Sequence, residues 1–116
     1  MRCQRPINTI IPLLLLFASL AQAESVGVKY RGPLDLAPFA CTDVTRSSFI
    51  RRVCFDKAKS YMLISLNGTY YHYCGIPTLT VEALMDAESM GRFFNEQVKG
   101  RFDCRLNPVP KYEVDQ

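Results

Sequence analysis

The chain has 116 residues, of which 48% are hydrophobic and 22% charged, with a formal net charge of +3 and a mean hydropathy of −0.01. A length of this order leaves room for one small domain. The nearly balanced charge argues against a strong nucleic-acid binder, which carries a clear basic excess.

The first element is a targeting segment. Arg2 and Arg5 precede a short apolar run, Ile10 to Leu20, and Ala21-Gln22-Ala23 follows as an A-x-A cleavage signal. Residues 1–23 are therefore expected to be a signal peptide, and the protein to be exported, periplasmic or secreted. The apolar run falls short of the ~20 residues that a spanning helix needs. No later stretch is apolar enough to cross a membrane. Cleavage after Ala23 would leave 93 residues with 12 basic and 11 acidic side chains, a net of +1.

Glu24 to Arg46 reads as an irregular N-terminal extension punctuated by Gly27, Gly32, Pro33 and Pro38. Val26, Val28 and Tyr30 alternate with smaller or polar residues, so a short edge strand is one reading of it. Phe49 to Phe55 is β-prone, and Asp56 to Lys59 is a polar turn. Tyr61 to Leu66 is a second strand. Asn67-Gly68 then signals a hairpin, because both residues tolerate positive φ. A third strand ends at Cys74, before Gly75 and Pro77.

Two helices follow. Thr78 or Thr80 can cap the first, in which Val81, Leu84 and Met85 share one face. Ser89 can cap the second, Arg92 to Lys99, with Phe94 and Val98 at i, i+4 and Gly100 as a stop. Residues 106–116 carry two prolines and several charges, and are expected to form a flexible tail.

The expected fold class is α+β: a three-stranded antiparallel meander followed by two short helices packed on one face. A two-residue hairpin loop places Tyr71 and Tyr73 with Met62, Ile64 and Leu66; a three-residue loop places them with Tyr61 and Leu63. In both cases each face of the meander is largely apolar. The N-terminal segment, by adding a strand or covering the other face, or a homodimer partner, must then bury the second face.

Cys41, Cys54, Cys74 and Cys104 lie after the cleavage point. Four cysteines in a small exported domain read as two disulfides, and no C-x-x-C pair suggests a metal site. Cys54 and Cys74 sit on the first and third strands of the meander, about 10 Å apart at a strand spacing of about 4.8 Å. That is too far for a bond, so Cys41–Cys54 with Cys74–Cys104 is the favoured pairing. No metal and no cofactor is expected.

Ser47 to Arg101 resembles the KTSC domain, a module also found at the C-terminus of some lysyl-tRNA synthetases, and the KTSC-like domain is expected over residues 47–105. The resemblance rests on SSFIRRVCFD, Asn67-Gly68, Tyr71-His72-Tyr73 as the Y-x-Y pattern, Gly75-Ile76-Pro77, and AESMGRFFN leading to Lys99-Gly100-Arg101. It implies no established activity, and it implies RNA binding as one possible role. An exported, cysteine-rich, nearly neutral copy departs from a synthetase-like setting.

The candidate binding residues are Tyr71, His72, Tyr73, Arg51 and Arg52. Tyrosines on a sheet either stack ligands or pack as core beneath the helices; the packed arrangement is the expected one. His72 lacks a companion nucleophile or carboxylate in any catalytic motif, so no enzyme activity is expected. The function read from the sequence is a small exported, disulfide-stabilised module that binds a protein or envelope component. The alternative is an RNA-binding module.

Overall fold

In the computed structural model, residues 24–113 are described; the expected signal peptide, residues 1–23, lies outside them. Six strands form one mixed sheet: β1 (Ser25–Val28), β2 (Gly32–Asp35), β3 (Ala40–Asp43), β4 (Ile50–Asp56), β5 (Tyr61–Leu66) and β6 (Thr69–Cys74). Their order across the sheet is β2-β1-β6-β5-β4-β3. All neighbours are antiparallel except β1 and β6, which run parallel and meet at a single bridge, Val28↔Tyr70.

The three-stranded meander with two helices is therefore not the architecture. β4, β5 and β6 do form an antiparallel core, but the N-terminal segment adds three strands, two beyond β6 and one beyond β4. The physical reason lies in the second apolar face of the core. Val28, Leu34, Leu36 and Phe39 from the N-terminal segment pack there against Cys54, Tyr61, Leu63 and Cys74. Strands recruited to both edges can bury that face from within one chain.

The hairpin between β5 and β6 fixes which side chains share a face. Asn67 and Gly68 both have positive φ, 52° and 93°, as a two-residue turn of this hand requires. Met62 then lies opposite Tyr73 and Ile64 opposite Tyr71, whereas Leu63 lies opposite His72 and Tyr61 opposite Cys74. Alternation sends the first set to one face and the second to the other.

The first face carries the larger core. Val53, Met62 and Ile64 meet Val81, Leu84, Met90, Phe94 and Val98 from the helical segment. Helix α1 spans Thr78–Asp86 and follows Pro77, which sits in the N-cap position without a side-chain cap. Neither threonine caps it. Helix α2 is only Met90–Phe93, capped by Ser89 Oγ accepting from the Arg92 amide at 3.2 Å. It continues as a π-helical stretch, Phe94–Val98, which is wider than the α-helix expected there. That turn still buries Phe94 and Val98 together. Gly91 has no room for a side chain: a Cβ there would lie 2.6 Å from Phe49 Cε1.

Two disulfides, Cys41–Cys54 and Cys74–Cys104, clip separate parts of the fold. The first joins directly paired residues of β3 and β4. The second ties the segment after the π-helical stretch to the end of β6. The last described residues are not a loose tail either. Val109 and Tyr112 pack on the second core. Tyr112 Oη donates to the buried carboxylate of Asp56 at 2.7 Å, and the Pro110 and Lys111 carbonyls accept from Arg31 and Lys59. The ring of Tyr112 supplies apolar area and a hydrogen bond where two prolines suggested neither.

Candidate functional site

The site grows out of the parting of β1 from β6. Val28 bridges Tyr70, and the Lys29 amide donates to the Tyr70 carbonyl at 2.8 Å. Beyond that point β1 turns away into Tyr30 and Arg31. At its far end β6 is engaged again: the Cys74 amide donates to the Phe102 carbonyl at 2.9 Å, beside the Cys74–Cys104 bond. Between these two attachments the edge of β6 opens on a cleft of about 520 Å³. Tyr71, His72 and Tyr73 form its floor, and Tyr30, Gly100, Arg101, Asp103, Cys104 and Arg105 complete its lining.

Tyr71 and Tyr73 are half-buried. They pack on the larger core, with the Tyr73 ring edge-on to Phe94 at 5.8 Å between centroids, and both still contribute to the cleft wall. Burial raises the phenol pKa of Tyr73, with a smaller push from Tyr71, so both structural and lining roles fall on the same residues.

His72 faces the second core, where it enters a polar network. Arg31 Nη1 donates to Tyr61 Oη at 3.3 Å and to the Pro110 carbonyl at 3.0 Å. A guanidinium only donates. Tyr61 Oη therefore accepts from Arg31, and it also shares a hydrogen bond of 2.7 Å with His72 Nδ1. Burial, followed by the charge of Arg31, holds the imidazole below its ordinary pKa of 6.5, and Asp103 opposes them more weakly. The ring also lines the cleft.

A stability consequence follows from the depressed His72 value. The unfolded chain takes up a proton near pH 6.5 while the folded one resists it. The contribution is intact above that value and is lost as the pH falls toward the folded pKa. Thermal melts across this window should show stability declining on acidification, and His72→Gln should flatten the slope. An unchanged slope would assign it to other groups.

Asp103 and Arg105 form a local pair. The carboxylate accepts from the Arg105 amide at 2.8 Å and from Arg105 Nη2 at 2.7 Å. These bonds hold the Asp103 pKa down at about 2. Arg101 is held differently: its Nε donates to the Glu96 carbonyl at 3.1 Å. Among the described residues no carboxylate lies within ion-pair distance of it.

The expected arginine pair does not join this cleft. Arg52 lies on β4 and bridges Glu24 at 2.7 Å and Asp43 at 3.1 Å, the second without hydrogen-bond geometry at Nε. Its guanidinium pKa is raised, first by the Glu24 hydrogen bond and then by Tyr70. Arg51 is exposed beside the β4 irregularity between Ile50 and Arg52. Of the five candidate residues, Tyr71, His72 and Tyr73 come together and Arg51 and Arg52 stay apart. Sequence reading passed over Tyr30 and Asp103 as site residues. The Tyr30-Arg31-Gly32 turn and the Asp103-x-Arg105 spacing were the only local signals for them.

The comparisons with known proteins match the central part of this fold. The KTSC domain family model covers residues 46–102. An uncharacterized protein of Stutzerimonas stutzeri (strain A1501) is 33% identical over 55 residues, covering 47% of this chain and 78% of that protein. The crystal structure of a KTSC domain protein from Yersinia pestis is 30% identical, with a TM-score of 0.52, covering 56% of this chain and 92% of that one. The family match takes in β4 to β6, both helices and the Tyr71-His72-Tyr73 floor, while Tyr30 and residues 103–105 fall outside it. The family model and the solved relative agree, and this chain belongs to the KTSC domain family.

Proposed function

We propose that the protein is an exported, disulfide-stabilised binding module without catalysis, and that its ligand, a protein or envelope component, seats in the β6-edge cleft. The observation that carries this reading is the composition of one concave surface. It brings three tyrosines, an imidazole and the Arg101 cation around about 520 Å³, a size and mixture suited to holding one ligand group. A catalytic reading finds less support. His72 Nδ1 is engaged by Tyr61, and all four described cysteines are bonded in pairs.

RNA binding, which the family resemblance implied, has weaker support here. Arg52 is neutralised by two carboxylates away from the cleft. Few phosphates could be countered, so a titration with single-stranded RNA should give weak binding with a shallow salt dependence.

The direct test is capture from extracellular or periplasmic extract by the immobilised oxidised protein, alongside its Arg101→Gln and Tyr30→Asn variants. A recurring partner that both variants fail to retain is the expected result. Capture of the same partners by all three proteins would place the binding surface elsewhere.

A further inference from the structure

The last described segment is held differently from the rest of the fold. No backbone–backbone hydrogen bond joins residues 108–112 to another described residue. Side chains hold the segment instead. Arg31 Nη1 donates to the Pro110 carbonyl at 3.0 Å, and Lys59 Nζ to the Lys111 carbonyl at 2.7 Å. The Tyr112 ring enters a slot on the second core. Its centroid lies 5.8 Å from that of Phe39 and 6.4 Å from that of Tyr61, and the Lys59 ammonium stands 4.1 Å from it. At the base of the slot Tyr112 Oη donates to the Asp56 carboxylate at 2.7 Å. Asp56 is 6% exposed, and a buried carboxylate left without a donor is costly.

This is the anatomy of a peptide seated in a groove, with the peptide supplied by the same chain. We infer that the groove is a recognition site for an extended Pro-x-Tyr segment of a partner protein, and that residues 108–113 occupy it in cis until such a segment displaces them. Phe39, Asp56, Lys59 and Tyr61 do not line the β6-edge cleft, so this is a second surface.

Each position of the pattern has a physical reason. The two cations hold main-chain carbonyls, which every residue offers. Pro110 brings no amide that needs an acceptor, and its fixed φ pre-orders the extended form. Aromatic-lined grooves take proline-containing segments in this way. Lys111 is exposed, so its side chain is not read. Tyrosine is read twice: the ring by Phe39, Tyr61 and the Lys59 cation, and the hydroxyl by Asp56. Asp56, Lys59 and Tyr61 lie within the family match of residues 46–102, whereas the tail lies beyond it. The base of the slot thus belongs to the shared domain, and the occupant is added by this chain. A tethered tail acts at an effective concentration on the order of millimolar, so a free segment binds well only once the tail is weakened.

The test is fluorescence anisotropy of a labelled peptide of residues 107–113, NPVPKYE, titrated with the oxidised full chain and with its Tyr112→Ala variant. The variant should bind the peptide at least about tenfold more tightly than the natural chain, because its own tail no longer competes. The same peptide carrying Tyr112→Phe should bind the variant about tenfold more weakly, the loss of a hydrogen bond to a charged group. A full chain with Tyr112→Phe keeps the ring packing and serves if the alanine variant does not fold; it should gain affinity for the tyrosine peptide by a smaller factor. Equal binding to the natural chain and its variants, no saturable binding to any of them, or equal binding of the two peptides overturns the inference. A concentration-dependent dimer of the natural chain in analytical ultracentrifugation, lost in Tyr112→Ala, would assign the groove to the tail of a second copy and overturn it as well.

Discussion

Replacing Cys74 and Cys104 together by alanine should lower folding stability by about 3.5 kcal/mol, as read by urea denaturation without reductant. The bond closes a loop of 30 residues in sequence separation, against 13 for Cys41–Cys54, whose removal should cost about 3 kcal/mol. The difference in chain entropy is small; the difference in structure is larger. Cys41 and Cys54 sit on strands already paired along β3 and β4. Cys104 belongs to a segment with no strand pairing, and the Phe102 carbonyl is its main backbone link to β6. Without the bond, the wall that carries Arg101, Asp103 and Arg105 should detach. Brief trypsin treatment should cut after Arg101 and Arg105 in the Cys74/Cys104 variant and spare both sites in the Cys41/Cys54 variant. Equal protection in the two would mean that packing alone holds the wall.

Phe94→Ala should be comparably severe, lowering stability by about 3–5 kcal/mol. Phe94 is 2% exposed in the π-helical turn. Its ring meets Phe49 at 6.2 Å and Tyr73 at 5.8 Å, both edge-on. Truncation removes the ring and leaves a cavity under the strand that floors the cleft. Such a loss is a large share of the 5–15 kcal/mol typical of folded domains. Phe94→Leu keeps most of the volume and should cost less than half as much. A chemical-denaturation series over the two variants checks the ratio. Similar losses for both would point to the ring contacts rather than to the volume.

The parts of this fold that were legible in the sequence are those decided locally. Asn67-Gly68 carries its turn type in its own backbone freedom, and with a two-residue loop the register follows: Tyr73 against Met62, His72 against Leu63. The apolar second face was legible too, and the N-terminal segment that covers it was one of two candidates; that it does so as three strands was not. Gly32-Pro33-Leu34-Asp35 has a proline and a glycine in four residues, which reads against a strand. It becomes β2 because it occupies the outer edge, where a missing amide is tolerated. Tyr112 reads as part of a charged, proline-rich tail, yet its ring settles 5.8 Å from Phe39 and 6.4 Å from Tyr61. Only the assembled second core makes that place available.

The site divides along the same line. Tyr71, His72 and Tyr73 stood out because they are consecutive. Tyr30, Arg101 and Asp103 reach them only through the divergence of β1 and the Cys104 bond, which are long-range events. Arg51-Arg52 drew notice as adjacent charges, but β4 lies one strand away from β6, across β5, and Glu24 and Asp43 occupy Arg52. Adjacency in sequence located the floor of the cleft and misplaced its cations.

Peptide mapping of the unreduced protein by mass spectrometry reaches the whole arrangement most directly. Sulfur links between Cys41 and Cys54 and between Cys74 and Cys104 are the expected finding, because one fastens the N-terminal strands and the other closes the cleft. Free thiols at Cys74 and Cys104, or either of them bonded to Cys41 or Cys54, would contradict the cleft wall and with it the binding role assigned to it.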